Sequence, residues 1–374
     1  MDTAAAAASE VLDLILKALV AGASDIYVRG ARVWFRVPEG VLPATEVEGV
    51  SSSSATALAR LLNDPNFVPA EARQALQVKL ETNFAIAVPS KDPMATIRLR
   101  VHGFYSQGEV SYVIRIIPVT PDSLESLGFD QFLEHRVLNA KSGLFLVTGP
   151  TGAGKSTTLA AILQRLANSR PVHIVTLEDP IEYVIRPVRG LVHQKELGKD
   201  FHSFPEGARS VLRESPDVVM VGEVRDLDTL RWTLSLAEAG FLVFATYHTR
   251  SPKETVERIV GSFPEAEQNQ ARMRLASTLI GVLSQILLPT IRAKTRATKP
   301  RAVAYEYMFA TDGIRTMIRE NKTHQIPNEL VKSEVGVRME ETLARLVRNN
   351  IVSRQLAEGA APDVTLFHQM LTMR

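Results

Sequence analysis

A glycine-rich stretch between an apolar run and a helical pattern has the residue types and spacing of a phosphate-binding site. The stretch GPTGAGKST matches G-x-x-x-x-G-K-[S/T]. Its glycines let backbone N–H groups turn towards phosphate oxygens, and the following helix adds its positive end. Lys155 is expected to reach the β- and γ-phosphates, and Ser156 to offer its hydroxyl to Mg²⁺. The predicted nucleotide-binding residues are Gly149, Pro150, Thr151, Gly152, Ala153, Gly154, Lys155, Ser156 and Thr157.

Polar side chains also follow three other apolar runs of the same region. Glu178 ends VTLE, Glu223 follows DVVMVG, and His248 ends FLVFATYH. The carboxyl ends of parallel strands meet at one edge of a sheet, where ligands of open α/β sheets bind. Any one of these residues could simply be solvated at a strand end, but three together favour a site.

Hydrolysis of a nucleotide needs a group that orients water, a cation, and positive charge over the transferred phosphoryl group. Glu223 fits the role of general base or water-orienting group. Glu178 is placed to hold Mg²⁺ through its water shell or to assist the nucleophile. His248 is expected to contact the γ-phosphate and report its loss. ATP and Mg²⁺ are therefore the predicted cofactors.

The chain divides into two patterns on either side of a proline-rich segment. Residues 1–118 predict a small α+β unit, with an amphipathic helix over 10–21 that presents Val11, Leu12, Ile15, Leu16, Leu19 and Val20 on one face. Residues 119–125 are the predicted linker. Residues 126–374 begin with short apolar runs that alternate with helices, the pattern of a parallel sheet covered on both faces. After residue 265 we expect mainly helices.

Composition bounds the function only loosely. A net charge of +2 gives no global argument for a nucleic-acid or anionic-membrane partner. The absence of cysteine excludes disulfides and thiolate metal sites. No positive region typical of a signal peptide and no uninterrupted apolar run long enough for a membrane span occurs. We therefore expect a cytoplasmic protein without a direct membrane span.

Four motifs, in this order and spacing, resemble the conserved boxes of the type II/type IV secretion ATPase superfamily. They are GPTGAGKST (Walker A), TLEDPIEY (Asp box), SPDVVMVGEVRD (Walker B) and AEAGFLVFATYHT (His box). Within that superfamily, GIRTMIRENKTHQI at 313–326 resembles the C-terminal signature of the type IV pilus retraction ATPases, the PilT type. The resemblance implies an α/β fold: a RecA-like P-loop ATPase domain preceded by a smaller α+β PAS-like N-terminal domain.

The same resemblance implies a hexameric motor that powers pilus retraction through motion between domains. Its implied partners are five further copies of the chain and an inner-membrane pilus platform protein, with no nucleic acid. The protein would be peripheral at the inner membrane through those partners. Arginines of the N-terminal domain reach the nucleotide in this family, and Arg100 and Arg115 are the matching candidates, with Arg213 a further one. Solvent-facing strand arginines are the alternative.

Two positions depart from the family pattern. Phe241 follows Gly240, where the His box usually has its first histidine, and no arginine stands near Gln107–Gly108. The lost histidine keeps open a nucleotide-gated assembly scaffold with little hydrolysis. A related secretion, conjugation or pilus-assembly ATPase and a nucleic-acid motor are further alternatives. The basic stretch RAKTRATKPR at 292–301 is interpreted as a solvated hairpin loop rather than an anion-binding one.

Overall fold

The chain forms two compact units, Met1–Val119 and Thr120–Arg374, each with its own sheet. The computed structural model describes residues 2–21, 23–37, 40–62, 64, 68–88, 97–117, 123–291, 301–330 and 335–372, without the side chains of 2–9, 85, 87, 88, 98 and 117. Most of the predicted linker 119–125 and nearly all of the predicted loop 292–301 lie outside the described residues.

The N-terminal unit is a six-stranded antiparallel sheet in the order β3-β2-β1-β6-β5-β4, with three helices. Its elements are α1 (Asp2–Val20), β1 (Asp25–Arg29), β2 (Arg32–Val37), β3 (Gly40–Pro43), α2 (Ser52–Leu62), α3 (Ala70–Lys79), β4 (Glu81–Val88), β5 (Ile97–Ser106) and β6 (Glu109–Ile117).

Alternating side chains explain this sheet, and helix periodicity explains the helix α1. In β2, Val33, Phe35 and Val37 are buried while Arg32 and Arg36 are exposed. The predicted face of α1 was partly wrong. Its fully buried stripe follows the spacing Val11, Leu14, Ile15 and Ala18, whereas Leu16, Leu19 and Val20 are exposed by 38%, 39% and 59%. Two overlapping i, i+4 series in one apolar helix caused the error, because only one can face the core.

The C-terminal unit is an eight-stranded sheet in the order β14-β13-β12-β7-β11-β10-β8-β9. Its elements are α4 (Leu124–Leu127), α5 (Gln131–Leu138), β7 (Gly143–Thr148), α6 (Lys155–Ser169), β8 (His173–Glu178), β9 (Leu191–Glu196), α7 (Phe204–Val211), β10 (Val218–Val221), α8 (Leu227–Glu238), β11 (Leu242–Tyr247), α9 (Pro252–Gly261), α10 (Glu265–Thr278), β12 (Leu279–Pro289), β13 (Arg301–Phe309), α11 (Asp312–Arg319), α12 (Ile326–Glu329), β14 (Gly336–Val337), α13 (Met339–Arg348), α14 (Arg354–Ala360) and α15 (Val364–Thr372).

The strands from β12 to β9 in this order are parallel, which sets the position of the site. The four predicted apolar strands are present as β7, β8, β10 and β11, and almost every residue in them is buried. Parallel pairing of β7 with β11, β11 with β10, and β10 with β8 brings their carboxyl ends to one edge. The P-loop, Glu178, Glu223 and His248 therefore all lie along this edge.

After residue 265 most of the described elements are helices, as expected, but the sequence did not predict the strands β12 and β13. These two strands pair antiparallel over nine residue pairs, from Gly281↔Phe309 to Pro289↔Arg301. Ser284 and Gln285 interrupt the apolar run of β12, although both are buried because they bond to residues near the P-loop. The later helices pack an apolar face against the core, since Ile314 and Ile318 of α11 and Leu343 of α13 are fully buried.

Candidate functional site

The P-loop has the backbone that phosphate binding requires. Gly149, Gly152 and Gly154 have φ angles of +145°, +80° and +86°, a region that side chains with a Cβ atom rarely adopt. A Cβ on Gly149 would come within 2.3 Å of the backbone oxygen of Gln285, so this position has no room for a side chain. The loop passes directly into α6 at Lys155, and its N–H groups can therefore surround an anion at a helix N-terminus.

The side chain of Lys155 is turned onto its own loop. Its Nζ donates to the backbone oxygens of Gly149 at 2.9 Å and Pro150 at 3.2 Å, and lies 3.5 Å from Nδ1 of His248. Burial lowers the pKa of Lys155, while the charges of Glu223 and Glu182 act in the opposite direction. The ammonium group thus stands where it can transfer from carbonyl oxygens to phosphate oxygens.

Glu223 is held by two donors at the end of β10. Nε2 of His248 lies 2.6 Å from one carboxylate oxygen, and Nη2 of Arg225 lies 2.6 Å from the other. Burial alone would raise the pKa of Glu223, but hydrogen bonds and charges from Arg225 and His248 outweigh it and lower the pKa. Glu223 is therefore ionised at neutral pH. Lys155, His248, Glu223 and Arg225 form one continuous polar chain.

Glu178 has a different environment at the end of β8. Only 8% of its surface is exposed, and one of its oxygens accepts from Oγ1 of Thr176 at 2.7 Å and from Nε2 of Gln194 at 2.9 Å. Burial raises the pKa of Glu178 from 4.5 to about 7, although these hydrogen bonds and one from the backbone of Glu182 oppose the rise. Glu178 thus lacks the cationic partners that Glu223 has.

A cavity of about 540 Å³ opens beside the P-loop and His248. It is lined by Pro150, His248, Thr249, Arg250, Glu254 and Arg258. Nη1 of Arg258 donates to the backbone oxygen of His248 at 2.7 Å and so fixes the carboxyl end of β11. The residues around the loop can therefore accept a group larger than phosphate alone.

The predicted arginines do not belong to the strand ends that hold the P-loop, Glu178, Glu223 and His248. Arg100 and Arg115 are direct partners across β5 and β6 in the N-terminal unit, and Arg115 donates to the buried carboxylate of Asp25 at 3.0 Å. Their role at the nucleotide remains a prediction. Arg213 is exposed and precedes the amino end of β10, so the strand separates it from Glu223 in the same chain.

The structure also shows the surroundings of the two positions that depart from the family pattern, Phe241 and Gln107. Phe241 precedes the amino end of β11 and packs against the core, whereas His248 follows the carboxyl end of the same strand. Near Gln107, a guanidinium is supplied by Arg29 of β1, which donates to the Gln107 side chain. Phe241 therefore lies at the opposite end of β11 from His248.

Sequence reasoning missed three residues that shape the site. Arg225 stood within the quoted Walker B stretch, two residues after Glu223, and its charge was a usable signal. Gln194 and Gln285 gave no signal, because their partners are distant in sequence. Gln285 donates to the backbone oxygen of Ala153 at 2.7 Å and accepts from Thr158 at 2.9 Å, and so supports the P-loop from below.

Mg²⁺ fits the donor set beside the phosphates. The Ser156 hydroxyl is exposed at the first turn of α6, and Glu178 ends β8 at the same edge of the sheet. In the described part of the chain, no group of three or more His, Cys, Asp or Glu side chains could hold a metal ion by itself. A metal that arrives with nucleotide phosphates needs no such protein cage.

Comparisons with known proteins agree over nearly the whole chain. The family model described as type II/IV secretion system protein matches residues 3–361. The chain is 36% identical over 359 residues to the type IV pilus retraction ATPase PilT of Pseudomonas aeruginosa, covering 94% of this chain and 98% of the relative. It is 38% identical over 293 residues to a twitching motility protein of Neisseria gonorrhoeae, covering 78% and 75% of the two chains.

A solved structure described as the pilus retraction motor PilT with bound ADP superposes with a TM-score of 0.81. The two share 35% identity, and the match covers 96% of this chain and 99% of the other. This agreement confirms the predicted fold class, a RecA-like ATPase domain preceded by a smaller α+β domain. Within the described ranges, no helix has both the length and the apolar composition needed to cross a membrane. The chain belongs to the type II/IV secretion system protein family, among the pilus retraction ATPases of the PilT type.

Proposed function

We propose that this protein is a hexameric, ATP-hydrolysing motor that powers the retraction of a type IV pilus. The observation that carries the proposal is the polar chain from Lys155 through His248 to Glu223, beside a P-loop with phosphate-binding geometry. The names of the two relatives, a pilus retraction ATPase and a twitching motility protein, favour pilus retraction over pilus assembly.

The P-loop, Lys155, Glu223 and His248 have different roles in the proposed hydrolysis of ATP. The P-loop N–H groups and Lys155 hold the phosphates and stabilise charge on the oxygens of the transferred group. Glu223 orients a water molecule and accepts its proton as the water oxygen bonds to the γ-phosphorus. The bond from this phosphorus to the bridging oxygen then breaks, and ADP leaves with that oxygen's electrons. His248, bonded to Glu223 and close to Lys155, links the carboxylate to the phosphate end of the site.

Mg²⁺ would be held by Ser156 and, through water, by Glu178. When bound, it would neutralise charge on the phosphate oxygens. The buried Glu178 carboxyl accepts hydrogen bonds from the neutral side chains of Thr176 and Gln194. A nearby cation would therefore stabilise its ionised form.

Hydrolysis in a ring would depend on neighbouring parts of the assembly. Arg100 and Arg115 of the N-terminal unit would bring positive charge to the nucleotide, so that hydrolysis requires the domains to close. The work would reach the pilus through an inner-membrane platform protein, which would place this chain at the cytoplasmic face of that membrane. Nucleic acid has no role in this mechanism.

The first test is phosphate release by the purified protein at saturating Mg-ATP. Wild type should turn over, and Glu223→Gln should bind ATP but lose at least about a hundredfold in kcat, as expected when a general base is removed. Glu267→Gln is a matched control, because this acid pairs with Arg231 on the surface of the helices α8 and α10. An inert wild type that binds nucleotide would instead support an assembly scaffold.

The second test separates the motor functions in cells. A deletion strain that keeps surface pili but loses twitching, restored by wild type and not by Glu223→Gln, supports retraction. Loss of pili would indicate an assembly ATPase, and loss of secretion or conjugation with normal twitching would indicate those alternatives. Light scattering should give the mass of a hexamer, and DNA at low salt should leave turnover unchanged.

A further inference from the structure

The segment between β8 and β9 is irregular but tightly held. Residues 179–190, named here the connector, contain neither helix nor strand. They begin directly after Glu178, and Tyr183 and Ile185 within them are buried, with 7% and 5% of their surfaces exposed. Buried backbone groups without a regular ladder need other partners. The connector therefore depends on side chains from neighbouring elements.

Gln194 of β9 supplies two of these hydrogen bonds to the connector backbone and a third to the side chain of Glu178. Its Oε1 accepts from the backbone N–H of Ile185 at 2.8 Å, and its Nε2 donates to the backbone oxygen of Tyr183 at 2.7 Å. The same Nε2 donates to the Glu178 carboxylate at 2.9 Å. One amide thus fixes the connector and Glu178 together.

Gln164 of α6 holds the connector from the other side. Its Nε2 donates to the backbone oxygen of Arg186 at 2.7 Å, and its Oε1 accepts from the backbone N–H of Arg186 at 3.0 Å. Within the described residues, the Gln164 side chain forms its other hydrogen bond with Asn168, so it holds the connector backbone without a hydrogen bond to Glu178. Both glutamines therefore hydrogen-bond to the connector backbone, but only Gln194 also hydrogen-bonds to Glu178.

The connector also joins the first turn of the P-loop helix. The hydroxyl of Tyr183 lies 2.7 Å from Oγ1 of Thr157, the residue after Ser156. Gln194 therefore hydrogen-bonds both to Glu178 and to the backbone of Tyr183, whose side chain in turn contacts the helix that follows the P-loop.

We propose that Gln194 is a positioning residue for ATP hydrolysis, which aligns the Glu178 carboxyl and the Tyr183–Thr157 contact with the P-loop. This role rests on the proposed function. Catalytic groups must be held within a fraction of an ångström by a second layer of hydrogen bonds, and a small displacement costs rate rather than binding. Loss of Gln194 should therefore lower kcat and leave the nucleotide contacts of the loop largely intact.

The experiment compares Gln194→Ala with Gln164→Ala in the full-length protein. Gln194→Ala should lower kcat at least about tenfold, with KM for ATP within about threefold of wild type. Gln164→Ala should lower the melting temperature to a similar extent but keep at least half of the wild-type kcat. Gln194→Glu, which keeps the acceptor for Ile185 and loses both donated bonds, should be as slow as Gln194→Ala. Wild-type kcat in either Gln194 variant, or equal kcat losses at both glutamines, would overturn the proposal.

Amide hydrogen exchange supplies a readout that needs no turnover. Gln194→Ala should speed exchange at Ile185, whose N–H donates to Gln194, whereas Gln164→Ala should speed it at Arg186. Unchanged exchange at Ile185 in Gln194→Ala would contradict the positioning role even in an inert protein. Wild-type turnover and its loss in Glu223→Gln, measured in parallel, test the proposed function separately.

Discussion

Replacing Glu178 with glutamine is expected to stabilise the folded protein at alkaline pH. Burial raises the pKa of Glu178 to about 7, above the 4.5 usual for a glutamate. Between these pH values the folded state binds more protons than the unfolded chain, so stability falls as pH rises through this window. The cost is nearly absent below pH 4.5 and complete above pH 7. An uncharged amide does not incur it.

The size of the effect follows from the pKa difference. Each pKa unit corresponds to about 1.4 kcal/mol, so the ionised carboxylate costs about 3 kcal/mol at pH 8.5 and about 1 kcal/mol at pH 5. The amide of Glu178→Gln also destabilises the fold. Its NH₂ group would face the backbone N–H of Glu182, which donates a hydrogen bond to the carboxylate in the wild type, and two donors cannot bond to each other. This cost is the same at both pH values. The difference between pH 8.5 and pH 5 is therefore roughly 2 kcal/mol.

The assay is thermal unfolding of wild type and variant at pH 5 and pH 8.5, without nucleotide or Mg²⁺. Ligands that bind the folded state would add their own stabilisation. For a unit of this size, the Tm gain of Glu178→Gln at pH 8.5 should exceed its change at pH 5 by about 4 °C. Glu223→Gln is the matched control with the opposite sign. The pKa of Glu223 is lowered, so its carboxylate stabilises the fold above the unfolded pKa, and its loss lowers Tm at pH 8.5. Equal Tm changes of Glu178→Gln at both pH values would refute the reasoning.

Three further substitutions test the site and the assembly. Lys155→Ala should raise the Kd for ATP about a hundredfold, because the charge-assisted contacts proposed between its ammonium group and the phosphates would be lost; a titration with fluorescent ATP measures the Kd, and an unchanged value would contradict the role. Gln285→Ala leaves the Ala153 carbonyl and the Thr158 hydroxyl without their buried partner and should cost about 2–4 kcal/mol in urea unfolding; wild-type stability would exclude it as a support of the P-loop. Arg100→Ala should lower hydrolysis by the oligomer at least about tenfold without weakening ATP binding to isolated subunits, and an equal loss in both would mean that it acts within its own chain.

The central strands could be predicted because each is a continuous apolar run. β7, β8, β10 and β11 are buried on both faces, so their sequences are short continuous apolar runs, the pattern that favours a parallel sheet. The edge strand β9 was missed because it lacks such an apolar run. Only Glu196 in it is buried, and a half-exposed sequence of LVHQKE resembles a loop. Its place is set by pairing with β8, which sequence periodicity does not record.

The predicted site residues share a property that a sequence can reveal: they follow strands or form a motif of fixed spacing. The supporting glutamines do not. Gln194 bonds to Glu178, which is 16 residues earlier, and Gln285 bonds to Ala153, which is 132 residues earlier. Each partner is a backbone atom or a carboxylate that a glutamine could reach from many places. Only the pairing of strands decides which glutamine does so.

The opposite environments of Glu178 and Glu223 support the different roles proposed for them. Both follow neighbouring parallel strands, and the pKa of one rises while that of the other falls. Glu223 faces two donors that carry or can carry positive charge, so it stays ionised and can accept a proton from water. Glu178 accepts from neutral donors, so its carboxyl gives up its proton only near pH 7 unless a cation approaches. Two titratable groups pushed apart in this way can serve different steps of one reaction. Exchanging the roles would require Glu223 to lose both Arg225 and His248, and Glu178 to gain a cation from its own chain.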